Sequence, residues 1–157
     1  MATLVNKVLA YITRGEELLV FRHRDFPEAG LQVAAGTIEE DESPREAVLR
    51  EVYEESGLQA VRVVHLLGHY FHNAAPYRDE THHRHVYHLE TTGPMASKWL
   101  HHESRPSYGG PSYAFPFFWM KLDDPELSLA GRQGDLLSKL IQRTPSITRK
   151  PSSDSPR

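Results

Sequence analysis

Residues 36–58 constrain this chain more than any other stretch of its sequence. Ser43 is followed by Pro44 and, three positions on, by Glu46, which is the pattern of an N-cap, a proline in the first helical turn and a capping box. Gly57 suits the left-handed conformation that ends a helix. The sequence therefore predicts a helix that starts after Ser43 and stops at Gly57.

Three glutamates lie on one face of this predicted helix. Glu51, Glu54 and Glu55 are spaced i, i+3 and i+4, which brings their carboxylates together. At a spacing of ~5 Å and an effective dielectric constant of 20, each pair repels by roughly 3 kcal/mol. Solvent would relieve this repulsion if the face were an exposed acidic stripe. Divalent cations would also neutralise the cluster, and all-oxygen ligands suit Mg²⁺ or Mn²⁺.

Further residues at set distances favour metal binding over the acidic stripe. A stripe requires neither Gly36 nor Arg50 at a fixed distance from the glutamates. Arg50 lies four residues after Glu46, where it can pair with Glu46 or reach back to Glu42. We therefore expect Glu42 and Arg50 to hold the preceding loop on the helix, as structural residues outside the chemistry.

The composition is that of one globular domain with an acidic centre. The 157 residues are 39% hydrophobic and 25% charged, with no stretch apolar enough to cross a membrane. Residues 36–58 hold eight of the 21 acids but only two of the 18 lysines and arginines, so the remainder carries +3. That balance suits a metal site that receives an anion and is too weakly basic for a nucleic-acid surface. Lacking cysteine and a signal-peptide pattern, the chain is expected to be cytoplasmic.

Apolar and alternating patterns outside residues 36–58 predict a β-sheet. Strands are expected at 7–13, 17–24, 31–33, 59–71, 82–90 and 115–122. The first should be central, whereas Pro116 suggests that the last begins at a sheet edge. Residues 91–114 are rich in Gly, Pro and Ser and predict a long loop, and leucines near residue 140 predict a closing helix. We expect one domain over residues 1–143 and a disordered tail over 144–157.

Candidate ligand-binding residues outside the acidic helix are less well defined. A strand over 17–24 would place Arg22 and Arg24 on one face, where they could bind phosphates, although strand-end charges without such a role are as good an interpretation. The chain has ten histidines, but strand 82–90 divides its histidines between two faces. Exposed or substrate-edge roles are therefore favoured over zinc. Tyr108 or Tyr113 could stack on a nucleobase, with peripheral packing as the favoured role.

The helix and the residues before it resemble the Nudix box, G-x5-E-x7-R-E-U-x-E-E-x-G-U, where U is aliphatic. Its defined positions are filled by Gly36, Glu42, Arg50, Glu51, Val52, Glu54, Glu55, Gly57 and Leu58. The likeness extends over roughly residues 3–143, through the first two strands, the strand around residues 118–120 and the closing helix. It implies an α/β protein with the Nudix fold, a mixed β-sheet between helices in an α/β/α sandwich.

The resemblance implies a pyrophosphohydrolase that cleaves a nucleoside diphosphate linked to another moiety, with Mg²⁺ or Mn²⁺ as cofactor. By position, Glu51 and Glu55 are implied metal ligands, and Glu54 binds directly or through water. Ala35 would add its backbone carbonyl, and the three glutamates would form the catalytic centre. The alternative is a Nudix-fold module that binds a nucleotide without cleaving it. Such modules usually lose box glutamates, and all are present here.

The general base and the substrate stay open at this point. Family members use a box glutamate or one from a later loop, and the candidates are Glu54, Glu80 and Glu103, in that order. Patterns typical of coenzyme A and NADH pyrophosphatases are absent. Ala74 replaces the proline expected in ADP-ribose pyrophosphatases, which counts mildly against ADP-ribose. We expect a nucleotide-like small molecule as partner, no membrane or RNA partner, and a monomer or homodimer.

Overall fold

The computed structural model describes residues 2–103 and 113–144, and these residues form seven strands and two α-helices. The strands are β1 (Thr3–Arg14), β2 (Glu17–Phe21), β3 (Ala34–Thr37), β4 (Val61–Asn73), β5 (Glu80–Thr91), β6 (Lys98–His102) and β7 (Ala114–Lys121). The helices are α1 (Pro44–Ser56) and α2 (Leu137–Gln142), with 3-10 turns at Pro27–Ala29 and Ala130–Arg132. In these described ranges, no helix is long and apolar enough to span a membrane.

The strands form one mixed sheet with β1 at its centre. The order is β4-β5-β1-β2-β7-β6, and β3 also pairs with β1. β1 runs parallel to β5 on one edge. On its other edge, residues 7–10 pair with β3 and residues 13–14 pair with β2, both antiparallel. The prediction of a central first strand is confirmed, and its apolar residues are covered on both faces.

Two hydrophobic clusters cover the two faces of the sheet. Val48 and Val52 of α1 pack on one face, and Leu140 of α2 packs with Tyr11 on the other. Leu49, by contrast, is 38% exposed because it is turned about 100° around the helix from Val48. The mixed α/β fold predicted from the sequence is confirmed.

The limits of α1 follow the local sequence. Ser43 Oγ accepts a hydrogen bond from Glu46 N at 3.1 Å, and Glu46 Oε1 accepts one from Ser43 N at 2.9 Å. Gly57 has φ 81° and donates its N–H to Tyr53 O. The capping box and the left-handed glycine predicted from the sequence are both confirmed, because each depends only on residues within one turn.

The strands predicted over residues 17–24 and 31–33 were wrong in extent or position. β2 ends at Phe21, not at residue 24, since the next position faces Pro116, whose missing N–H cannot continue the ladder. Residues 31–33 make only isolated bridges, from Gln32 to Phe21 and from Leu31 to Leu129. The strand that enters the box is β3, which starts at Ala34 because that is where pairing with β1 begins.

The predicted loop over residues 91–114 contains a strand. β6 pairs with β7 along Lys98–Phe118 to His102–Ala114. β7 therefore lies between β2 and β6, and the inference of a sheet edge from Pro116 was wrong. Pro116 fits inside the sheet because it lies just past the last β2 pair, between Phe21 and Phe117. Tyr108 and residues 145–157 fall outside the described residues.

Candidate active site

The three box glutamates are buried against the sheet. Glu51 is 5% exposed, Glu54 is 7% exposed and Glu55 is 9% exposed. The interpretation as a solvated acidic stripe is therefore wrong. A Cβ on Gly36 would lie 2.0 Å from Glu51 Cδ, so only glycine leaves room for this carboxylate beside β3.

Arg50 links the carboxylates to the loop before α1. Its Nε and Nη2 donate to the two carboxylate oxygens of Glu42 at 2.7 and 2.9 Å, and Nη2 also donates to Thr37 O at 2.9 Å. Its Nη1 donates to Glu51 Oε1 at 2.7 Å and to Glu54 Oε2 at 3.2 Å. The Glu42 contact matches the expectation from the sequence, whereas the contacts with the acidic face depend on how the long side chain folds along the helix.

Burial disfavours the charged forms of Glu51 and Glu55. Glu55 Oε1 accepts a hydrogen bond from Ala35 N at 2.7 Å. Burial raises the pKa of Glu55 well above its ordinary value, against the effect of that hydrogen bond. Burial also raises the pKa of Glu51 to about 7, although Arg50 opposes the shift. Bringing a cation to these carboxylates would offset the unfavourable burial of their charge.

The residues present suit a hard divalent cation by their chemistry. Within the two described ranges, no three His, Cys, Asp or Glu side chains already surround a common point as metal ligands do. Instead, the carboxylates of Glu51 and Glu54 both accept hydrogen bonds from Arg50, and that of Glu55 accepts one from Ala35 N. Three nearly buried carboxylates beside a backbone carbonyl are nevertheless the oxygen donors that Mg²⁺ and Mn²⁺ prefer.

A fourth glutamate approaches this cluster from the end of β6. Glu103 donates its backbone N–H to Tyr113 O at 2.9 Å, which joins the end of β6 to the start of β7. Burial and then the charge of Glu54 raise the pKa of Glu103, and the charge of Glu103 contributes to the raised pKa of Glu55. Glu80, the other candidate from outside the box, lies 2.8 Å from His82 Nε2.

β6 also fastens the C-terminal end of α1. Trp99 Nε1 donates to Ser56 O at 2.9 Å, and His101 Nε2 lies 3.0 Å from Glu54 O. A Cβ on Gly57 would meet His101 Nδ1 at 3.0 Å, so glycine here serves close packing as well as the turn. This strand was not predicted from the sequence, although the run Lys-Trp-Leu-His-His at 98–102 was an available sign of it.

The arginines predicted to bind phosphates are exposed in the segment after β2. Arg24 Nε lies 3.3 Å from Asp25 Oδ1, and both side chains are about half exposed. β2 ends before Arg22, although Arg22 N and Arg24 N still donate to Pro116 O and Ala114 O of β7 at 3.4 and 3.1 Å. The role of the two arginines in binding phosphates stays a prediction. Tyr113 packs against the ring of His23, with 4.6 Å between centroids, which is the peripheral packing favoured from the sequence.

Histidines from two strands meet on the sheet. His83 Nε2 lies 2.9 Å from His69 Nδ1, and the rings of His83 and His85 are 4.4 Å apart. His83 and His85 lie on one face of β5, since side chains two residues apart in a strand share a face. Their contact with His69 depends on the pairing of β4 with β5, which sequence spacing alone did not indicate.

Two pockets lie outside α1, and the smaller one borders the glutamates through Ala35 and Gly36. The smaller, of about 140 Å³, is lined by Lys7, Leu9, Ala35, Gly36, His82 and Arg84. The larger, of about 500 Å³, is lined by residues that include Gln32, Tyr77, Gly131 and Gln133. Tyr77 is 93% exposed. Sequence reasoning missed both pockets because their walls come from segments far apart in the chain.

Comparison with known proteins agrees with this fold. The family model of the NUDIX domain matches residues 3–140 of the sequence, so the chain belongs to the Nudix hydrolase family, a family of pyrophosphohydrolases. Comparison with curated proteins gives no match.

Solved structures with the same fold share few of the chain's residues. A UDP-X diphosphatase has a TM-score of 0.62 and 20% identity over 91% of this chain, which spans only 65% of that protein. A MutT Nudix hydrolase from Burkholderia pseudomallei has a TM-score of 0.62 and 21% identity over 88% of this chain and 98% of its own. An ADP-ribose pyrophosphatase from Streptococcus suis has a TM-score of 0.59 and 19% identity over 93% and 92%. At these identities the likeness establishes the fold alone.

The raised pKa of Glu51 predicts a pH-dependent response to divalent cations. Its pKa is about 7 in the folded protein against an ordinary value of 4.5, so the folded state binds the proton more tightly. Without metal, this residue should therefore lower the free energy of unfolding by up to about 3 kcal/mol as pH rises between those values. A cation that binds the ionised form should raise the melting temperature more at pH 8 than at pH 5.

Thermal unfolding with and without MgCl₂ or MnCl₂ at the two pH values measures this response. Glu51→Gln should flatten the pH dependence, whereas Glu40→Gln, an exposed acid of the same box, should leave it unchanged. An equal melting-temperature increase at both pH values in the unmodified protein would contradict the expectation.

Proposed function

We propose that this protein hydrolyses a pyrophosphate bond in a nucleoside diphosphate linked to another moiety, in a reaction that depends on Mg²⁺ or Mn²⁺. The observation that carries the proposal is the burial of Glu51, Glu54 and Glu55 together on α1, with Glu51 seated where only Gly36 leaves room. Burying three carboxylates in one place is unfavourable unless cations offset their charge. A nucleotide, a nucleotide sugar and a dinucleoside polyphosphate all contain the required bond.

The residues divide into metal-holding and supporting roles. Glu51, Glu54, Glu55 and the Ala35 carbonyl would hold the cations. The bound cations would neutralise the phosphate oxygens, offset charge on the leaving group and lower the pKa of the attacking water. Arg50 would keep Glu51 and Glu54 oriented through its hydrogen bonds to both.

We assign the role of general base to Glu103. Its pKa is raised by burial and by the charge of Glu54, which makes it a better proton acceptor near neutral pH than an exposed glutamate. Its position at the end of β6 brings its charge to the box glutamates. Glu54 is the second candidate, but its carboxylate is held by Arg50 at 3.2 Å.

Glu103→Gln should lower kcat by about 10²-fold, because an amide cannot accept the proton of the attacking water. The acid limb of the kcat–pH profile should also disappear. Glu80→Gln is the matched control, since it makes the same change at the other candidate from outside the box. A larger loss in Glu80→Gln than in Glu103→Gln would reverse the assignment.

The larger pocket supports a nucleotide-like substrate. Its volume of about 500 Å³ falls within the range of small-molecule sites. The exposed ring of Tyr77 would stack on a base, and Gln32 and Gln133 would supply hydrogen-bonding groups. The named relatives act on UDP-X and ADP-ribose compounds, which share a nucleoside diphosphate unit.

We also propose that the protein is cytoplasmic and forms a homodimer. Cell fractionation tests the location, and sedimentation tests the oligomeric state.

The competing function is nucleotide binding without cleavage. All the box glutamates are present and buried, which favours hydrolysis over this alternative. The purified protein should be incubated with nucleoside triphosphates, nucleotide sugars, ADP-ribose and dinucleoside polyphosphates, each with Mg²⁺, with Mn²⁺ and with a chelator. Chromatography of the products should show cleavage that the chelator abolishes. A rise in melting temperature with one compound and no cleavage of any would favour the binding module.

A further inference from the structure

Two buried cations lie side by side on the α2 face of the sheet. Lys7 of β1 is the register partner of Arg84 of β5, and each is 8% exposed. Like charges directly opposite one another destabilise a sheet. Burial lowers the pKa of Lys7, Glu80 and then Glu51 oppose this shift, and the charge of Arg84 adds a smaller lowering. Lys7 Nζ also donates to Thr37 Oγ1 at 2.8 Å. An anion bound beside this pair would offset the repulsion between the two cations.

Arg84 has hydrogen-bond donors that the protein does not use. Its Nη1 donates to Gly131 O at 2.6 Å and to Tyr70 Oη at 3.3 Å. The three N–H groups on Nε and Nη2 meet no acceptor among residues 2–103 and 113–144, and no carboxylate there forms an ion pair with Arg84. A nearly buried guanidinium whose Nε and Nη2 are not bonded to the described residues is suited to bind a carboxylate or a phosphate through two parallel hydrogen bonds.

The pocket beside Arg84 has the size of a small anion. Lys7, His82 and Arg84 line it, and its volume is about 140 Å³. Pockets for whole organic ligands begin at ~300 Å³, so this one is too small for a nucleoside. It equals the share of about five liquid water molecules at ~30 Å³ each, which is enough for one phosphoryl group.

The pocket adjoins both residues that contact the box glutamates and a residue that lines the larger pocket. Ala35 and Gly36 form part of its wall, and these residues contact Glu55 and pack against Glu51 on their other side. On the far side, Arg84 binds the carbonyl of Gly131, which lines the pocket of about 500 Å³. A substrate that reaches from the glutamates into the larger pocket would therefore pass Lys7 and Arg84.

We propose that Lys7 and Arg84 form an anion subsite for a phosphoryl group of the substrate. This inference rests on the proposed function and adds the residues that bind the phosphoryl group next to the organic half. Arg84 donates through Nε and Nη2, and Lys7 donates through its ammonium group. The ligand chemistry is a tetrahedral phosphoryl group with non-bridging oxygens, which free phosphate and a nucleoside monophosphate both present.

The test is a binding titration without metal, so that it does not depend on catalysis. Inorganic phosphate, and in a second arm a nucleoside 5′-monophosphate, is titrated into chelator-treated protein and followed by calorimetry. Arg84→Gln and Lys7→Gln should each weaken phosphate binding by about tenfold or more, because each removes a charged hydrogen bond. Arg62→Gln is the control, since Arg62 is exposed and paired with Glu90. The monophosphate should bind more tightly than phosphate if the organic half uses the larger pocket.

Equal phosphate affinity in all the variants, or no phosphate binding by the unmodified protein, would overturn the proposal even if the protein hydrolyses nucleotides. Loss of binding in Arg84→Gln and Lys7→Gln alone would support it even if no compound is cleaved, in which case the proposed function fails and the subsite stands. Thermal unfolding establishes that each variant folds, and Lys7→Gln carries the comparison if Arg84→Gln does not fold.

Discussion

The double variant Glu54→Gln, Glu55→Gln should lose metal-dependent hydrolysis by roughly 10⁴-fold or more while it keeps its fold. Each substitution removes a charged oxygen ligand, and cation-mediated stabilisation of the transition state contributes several kcal/mol, at about 1.36 kcal/mol per tenfold in rate. Glutamine has nearly the size of glutamate. Because burial already disfavours the charged form of Glu55, a neutral amide should not weaken the fold there.

The measurement is kcat at saturating Mg²⁺ and Mn²⁺ on the compound that the panel identifies, together with the melting temperature. Glu40→Gln is the matched control, because it changes an exposed acid of the same box without touching the buried cluster. Activity within tenfold of the unmodified protein would show that the two glutamates do not hold the cations. A fall in the melting temperature of the double variant with no cation present would point to a structural role instead.

Gly36→Ala should displace Glu51 and so damage both activity and stability. The added Cβ would lie 2.0 Å from Glu51 Cδ and 2.2 and 2.3 Å from its two carboxylate oxygens. The carboxylate would have to move and would lose its contact with Arg50 Nη1, now 2.7 Å. We expect kcat to fall by at least about 10²-fold, the effect of a misplacement near 1 Å, and the free energy of unfolding to fall by about 1–3 kcal/mol.

Gly93→Ala is the control for this substitution, because a Cβ there has no neighbour within 4 Å. Combining Gly36→Ala with Glu51→Ala removes the collision, so this double variant should recover stability relative to Gly36→Ala but not activity. Denaturant unfolding and kcat measure the two effects separately. If Gly36→Ala is as stable and active as Gly93→Ala, the close approach of Gly36 to Glu51 is not a constraint on the site.

The sequence alone determined those parts of the site that depend on residues within a turn or two of each other. Ser43, Glu46 and Gly57 set the limits of α1 through hydrogen bonds that span at most four residues. The helical spacing of the glutamates likewise brought them to one face. The apolar run in β1 indicated a central strand because a strand covered on both faces has no polar side.

Only the tertiary structure decided which side chains are buried and which residues from distant parts of the chain lie close together. β6 was hidden in a stretch rich in turn residues, since its pairing with β7 joins segments that sequence periodicity cannot relate. The charge of Glu103, at the end of that strand, contributes to the raised pKa of Glu55, whereas Glu80 lies 2.8 Å from His82 Nε2. Lys7 and Arg84 are far apart in the chain and meet only through the parallel register of β1 and β5. Local hydrogen bonds are readable from spacing, but register and desolvation arise only when the sheet assembles.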